Sequence, residues 1–263
     1  MDIQNKLLKL FLKLLEARAL DDQKAQMIES IMLTFSGDQS FMELVGQSLS
    51  SEKTSTVVKI RLLAAISFME SLPESLTDHI RSVLGASSPD VRGEALAVVL
   101  RFGPGKILAE TVKEIAADTG ELPQVRVAAL EAILKHTGRV NEKGFAFLSG
   151  LAGNPETPAL LGGQVARALG HLHLTADNRA QGQALTRLLA KASPLQVTGM
   201  LQPFIRLGNN SKEAFKDWVP ADLDALRVAF AKAMEVTPWR SALDPSSIPV
   251  ILRAFPAELG AAH

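Results

Sequence analysis

Residues 89–101 return at 123–135. Pro89-Asp90-Val91-Arg92, followed by Ala95 and Leu96, aligns with Pro123-Gln124-Val125-Arg126, followed by Ala129 and Leu130, at an offset of 34 residues. The match runs on from Val99-Leu100-Arg101 to Ile133-Leu134-Lys135. An earlier copy, Lys59-Ile60-Arg61 with Ala64, lies 31 residues upstream, and a weaker one, Ala166-Arg167-Ala168-Leu169-Gly170, lies downstream. A period of this size is one helix pair plus its loops. A unit that small cannot bury its apolar face alone, so repetition obliges neighbouring units to stack.

The rest of the chain is written in the same grammar. Ile3, Leu7, Leu10, Phe11, Leu14 and Leu15 recur at the spacing that makes one apolar helical face. Asp21 and Asp22 offer N-cap oxygens to a second helix carrying Ala25, Ile28, Met32 and Phe35, and Asp38 caps the next. Short breaks follow about every 14 to 18 residues, near Pro73, Ser88-Pro89, Gly103-Pro104-Gly105, Gly120 to Pro123, Gly138, Asn154 to Pro158, Asp177, Ser193-Pro194, Gly208 to Ser211 and Pro220. The two Ser-Pro pairs place a cap before a proline at the first helical position, where no hydrogen bond is lost. Nothing alternates with the period of a strand. Short connections between helices make antiparallel neighbours.

The Asp90-Val91-Arg92 opening, with small alanines after it, resembles the second helix of HEAT repeats. The expected fold is therefore all-α, a right-handed α-solenoid (armadillo-type) of HEAT-like antiparallel helix pairs. Residues 1–263 are read as one helical-repeat domain: capping helices over 1–54, the clearest repeats over 55–175, and divergent helices over 176–263. The repeat positions have structural roles. Ala95 and Ala129 permit close helix approach, Val91 and Val125 lie in the seam, and Arg61, Arg92 and Arg126 form a ladder between repeats. Gln124 replaces the acid of the first copy, so a ladder of ion pairs is incomplete.

A second resemblance rests on the C-terminal third: Leu188-Leu189-Ala190-Lys191-Ala192-Ser193-Pro194-Leu195-Gln196, then Leu201 and Phe204, Leu223 to Phe230, and Ile248 to Pro256 with Arg253-Ala254-Phe255-Pro256. This pattern resembles the helical region of the large PVC-type haem-binding membrane-bound dehydrogenases. There, a propeller precedes HEAT-like repeats and a cytochrome-c-like module follows. The resemblance implies either a segment of a larger redox protein, periplasmic in that case, or a free-standing relative of its helical region. It carries over packing positions and helix caps but no functional residue, because the haem site of that family needs Cys-x-x-Cys-His.

Composition sharpens what is missing. With 28 basic and 28 acidic residues the net charge is zero, unlike the basic footprint of a nucleic-acid binder. No cysteine is present, which excludes disulfides, thiolate nucleophiles, cysteine zinc sites and thioether haem attachment on these residues. Tyrosine is absent and tryptophan occurs twice, leaving little material for base stacking. No apolar run approaches the about 18 to 20 residues that span a bilayer. No export signal is read at the N-terminus, where Lys6, Lys9 and Lys13 interrupt the apolar stripe. That basic edge reads as a solvated face.

Candidate chemistry is sparse. His171 and His173 are the one close histidine pair, at a spacing that sends helical side chains to different faces. They read as a polar helix end, interacting with the last carbonyls and the dipole. His79, His136 and His263 have no partner at ligand spacing. Gly103-Pro104-Gly105-Lys106 lacks the spacing and preceding strand of a phosphate loop and reads as a turn. Asp222 and Asp224 read as first-turn acids after Pro220, and Trp218 and Trp239 as packing anchors around a helix over 219–238. No catalytic, cofactor-binding or metal residue is assigned.

The expected function is a non-enzymatic scaffold or spacer that contacts neighbouring domains or a separate protein, without nucleic acid, membrane insertion or cofactor. The alternatives are a HEAT-like DNA glycosylase-type enzyme, which needs a basic concave face, and an adaptor that grips a peptide in its groove.

Overall fold

The computed structural model describes residues 2–86, 88–209 and 217–236. Trp239, His263 and the Ile248 to Pro256 pattern lie outside the described residues. Thirteen α-helices occur among the described residues, and no strand. They are α1 (Asp2–Leu15), α2 (Asp22–Thr34), α3 (Gln39–Ser50), α4 (Thr56–Ser67), α5 (Glu74–Ala86), α6 (Pro89–Phe102), α7 (Gly105–Ala117), α8 (Pro123–Thr137), α9 (Glu142–Gly153), α10 (Ala159–Gly170), α11 (Arg179–Leu189), α12 (Pro194–Asn209) and α13 (Pro220–Val236). A 3-10 turn over Ala176–Asn178 precedes α11. The chain divides into two compact units, residues 1–132 and 133–263, with the division inside α8.

The caps expected from the sequence set the helix starts. Asp21 accepts from the Lys24 amide at 2.8 Å, and Asp38 from the Phe41 amide at 3.0 Å, each satisfying one of the donors a helix N-terminus leaves unpaired. Asn141 does the same for Gly144 at the start of α9. Proline opens α6 and α12 directly after Ser88 and Ser193. Of the Gly103 to Lys106 segment, Gly103 and Pro104 make the turn between α6 and α7, while Gly105 and Lys106 already open α7.

In the first unit, helices pack on the next but one: α2 on α4 and α4 on α6 in one layer, α3 on α5 and α5 on α7 in another. Two layers of apolar stripes meet in a core of aliphatic side chains, with Phe11, Ile28, Met32, Met42, Leu62, Leu63, Ile66, Leu76 and Ile80 fully buried. Phe11 and Phe41 pack with tilted rings, centroids 4.8 Å apart, bringing α1 against α3. Ser55, which caps α4, also donates to the Ala17 carbonyl ahead of α2 at 2.8 Å, so the two helices begin at the same end.

The second unit repeats this alternation, α9 with α11, α10 with α12, and α11 with α13. Helices α10 and α12 run in the same sense and touch through their backbones. A β-carbon on Gly170 would stand 2.7 Å from the Gly199 carbonyl oxygen, and one on Gly199 would stand 2.6 Å from the Ala166 carbonyl oxygen. Pro203 lies inside α12 and has no N–H to offer the Gly199 carbonyl, four residues back. That freed carbonyl faces Gly170 instead. Glycine at both positions permits a closer approach than any side chain allows. Farther along, Phe204 packs on Phe230 at 4.7 Å.

Candidate functional site

Val91, Ala95, Val125 and Ala129 are buried. Each of the three arginines has charged or polar neighbours of its own. Arg92 of α6 reaches Glu121, just ahead of α8, with Nη2 and Oε2 at 2.8 Å. The Glu121 side chain is only 5% exposed, so this pair works in a partly desolvated seam. Glu94 is half-buried, and burial raises its carboxyl pKa against the opposing pull of Arg61 one helix away in α4. Arg126 of α8 turns back toward α7 and donates from Nε to the Ala116 carbonyl at 3.4 Å.

Ser50, His79 and Glu43 form a constellation that spacing did not reveal. The Ser50 hydroxyl and His79 Nδ1 are 2.8 Å apart, and His79 Nε2 lies 3.5 Å from Glu43 Oε1. The imidazole of α5 lies over Gly46 of α3, where any β-carbon would overlap the ring. The order serine, histidine, carboxylate is that of a hydrolytic triad. Yet Ser50 is the last residue of α3, at the helix end whose carbonyls and dipole oppose a developing oxyanion. The arrangement is a polar clamp between α3 and α5. The signal in the sequence was Gly46, four residues before Ser50 and three after Glu43.

The second unit holds a cleft with a volume of about 520 Å³. It opens where the chain leaves α8 and α10. Gly138 follows α8 with φ 66°, the left-handed conformation glycine tolerates best. Its carbonyl accepts from the His173 amide at 2.8 Å, and the His173 ring lies against its α-carbon, where a side chain would collide. The next residue, Arg139, lines the cleft with His173 and Arg206, over a floor of Leu174, Pro203 and Leu207. Thr175 and Asn178 close a capping box, and Asn178 Nδ2 also holds the His173 carbonyl at 2.7 Å.

The histidine pair differs from its sequence reading. Helix α10 ends at Gly170, so His171 is the cap residue and His173 lies beyond the helix. The last carbonyls are taken by Arg206 rather than by imidazole: Nη1 donates to Leu172 O and Nη2 to Gly170 O, both at 3.0 Å. Burial lowers the pKa of His171, and Arg206, Lys135, His136 and Arg167 lower it further. Burial, Arg206 and Arg139 act alike on His173. Both rings are therefore harder to protonate beside the guanidinium that does the capping.

The remaining candidates are placed as helix-end groups. Asp222 lies 3.6 Å from Arg179, and Asp224 bonds Arg227 at 3.0 Å within α13. Trp218 is buried, and its indole N–H has no partner. Among the described residues no three metal-ligating side chains cluster, and no helix is long and apolar enough to cross a membrane. Comparison with protein-family models, with curated proteins and with solved structures finds no match to this chain.

Proposed function

We propose that this chain is a HEAT-like α-solenoid serving as a non-enzymatic scaffold or spacer, which holds neighbouring domains or a separate protein partner at a defined separation. The observation that carries this reading is the span of its cross-links. Ser50 to His79, Ser55 to Ala17, Arg206 to Leu172 and Gly170, and Gln181 to Val140 join residues 29 to 41 positions apart. The Arg92–Glu121 ion pair and the His173 to Gly138 backbone bond span a similar stretch. Each equals about one helix pair, the nearest-neighbour contact range of a repeat array. The packing of alternate helices within each unit supports the same reading.

An array of this kind presents long surfaces without requiring a pocket, which suits a spacer between the propeller and cytochrome-like modules of the dehydrogenases that its C-terminal pattern resembles. The decisive observation on that parentage is the coding sequence to either side, where an upstream propeller and a downstream Cys-x-x-Cys-His are expected. For the scaffold itself, the purified chain is expected to carry no chromophore and to turn over no member of an ester, glycoside and phosphoester panel. A bound haem or a saturable hydrolysis rate refutes it.

A further inference from the structure

We propose that the cleft of the second unit binds a singly charged carboxylate carrying a small apolar group, with the carboxylate held by Arg139 and Arg206 beside His173. This inference is independent of the scaffold reading. Arg206 is a half-buried cation that spends one N–H each from Nη1 and Nη2 on the carbonyls of Gly170 and Leu172. A guanidinium has five donors, so the carbonyls leave part of the fork available. Among the described residues neither Arg206 nor Arg139 joins an ion pair with a carboxylate. A cation in a partly desolvated wall acts on a ligand with less screening than one on the open surface.

The rest of the lining narrows the class. Asp177 and Asp217 also face the cleft, both exposed. Their charges oppose a phosphate dianion or a dicarboxylate more strongly than a single carboxylate. The floor of Leu174, Pro203 and Leu207 is buried and apolar and offers nothing to a wholly polar anion, but it covers a short aliphatic chain. The volume of about 520 Å³ falls in the range of small-ligand sites. Two sources present this chemistry: a free short-chain carboxylic acid, and the C-terminal residue of a peptide with an aliphatic side chain.

Isothermal titration calorimetry with hexanoate, hexanamide, inorganic phosphate and a blocked tetrapeptide ending in leucine, with free or amidated terminus, tests the assignment. Saturable binding is expected for hexanoate or the free-terminus peptide, and none for hexanamide or the amidated peptide. Whichever of the two carboxylates binds tighter identifies the source. Arg139→Gln is expected to weaken that binding about tenfold, the loss of one charge-assisted contact. Arg139 is exposed, so its variant is expected to melt with the parent, whereas Arg206→Lys also disturbs the end of α10. Asp177→Asn is expected to tighten binding, and so is lowering the pH as His173 takes a proton. Hexanamide binding as well as hexanoate, phosphate binding better than either carboxylate, unchanged affinity in Arg139→Gln, or no saturation by any carboxylate at millimolar concentration overturns the proposal.

Discussion

Arg92 leaves the first turn of α6 and meets Glu121 at 2.8 Å in the loop that launches α8, joining the two through a carboxylate that is almost fully buried. The geometry leaves Arg92 Nε unpartnered, so the pair is held in place by its surroundings more than by complete hydrogen bonding. Removing one member strands the other charge in the seam, and that desolvation penalty exceeds what the pair contributes over two apolar residues. Glu121→Ala is expected to lower stability by roughly 1–3 kcal/mol. Arg92→Met combined with Glu121→Leu is expected to recover most of the loss. Urea unfolding with unchanged slope measures both; an additive double variant contradicts the coupling.

The glycine contact between α10 and α12 makes a sharper prediction. Gly199→Ala drives a methyl toward the Ala166 carbonyl and forces the helices apart, an overpacking cost of about 1–3 kcal/mol. Gly163→Ala, in the same α10 but with nothing near its side-chain position, is expected to stabilise by about 0.5–1 kcal/mol through helix propensity. Opposite shifts in melting temperature for these two variants test the contact, since a propensity effect alone raises both.

These cases show what the sequence made legible. Helix starts at Asp21 and Asp38 were readable because a cap is local chemistry, fixed by residues within one turn; those at Pro89 and Pro194 were readable because proline suits the first helical position, although Ser88 makes no side-chain capping bond. The buried places of Val91, Ala95, Val125 and Ala129 were readable because the repeat states them twice. The partners of the charges were not. Glu121 lies outside the repeated motif, and Arg206, a helix away from the histidines, displaces them from the role their position suggested. The α10–α12 contact was hidden for a similar reason. Gly199 and Pro203 look like helix-weakening residues until the facing Gly170 is known.

His171 and His173 make the second unit sensitive to acid. Burial, then the surrounding cations, lower both imidazole pKa values in the folded chain. The unfolded chain therefore takes up protons at higher pH than the folded one. The unprotonated rings contribute stability that is fully present above about pH 6.5 and is lost as the pH falls from there through the lower folded-state values. Between about pH 7.5 and about pH 5.5 the urea midpoint of the parent is expected to fall more than that of His171→Gln/His173→Gln. Equal falls locate the acid sensitivity elsewhere.

The clamp at His79 yields a coupling that separates packing from hydrogen bonding. The imidazole fits over α3 because residue 46 has no side chain, and its two nitrogens then face Ser50 and Glu43. Gly46→Ala removes that seat, and the ring must swing away from both partners at once. The expected loss is about 1–3 kcal/mol, with helix propensity acting in the opposite direction. His79→Ala removes the ring and its hydrogen bonds but leaves the glycine slot as a void. In the double variant the new methyl occupies space the imidazole has vacated. It is therefore expected to be more stable than Gly46→Ala alone, a non-additivity readable from three melting curves. Simple addition of the two single effects would show that the ring does not depend on Gly46 for its place.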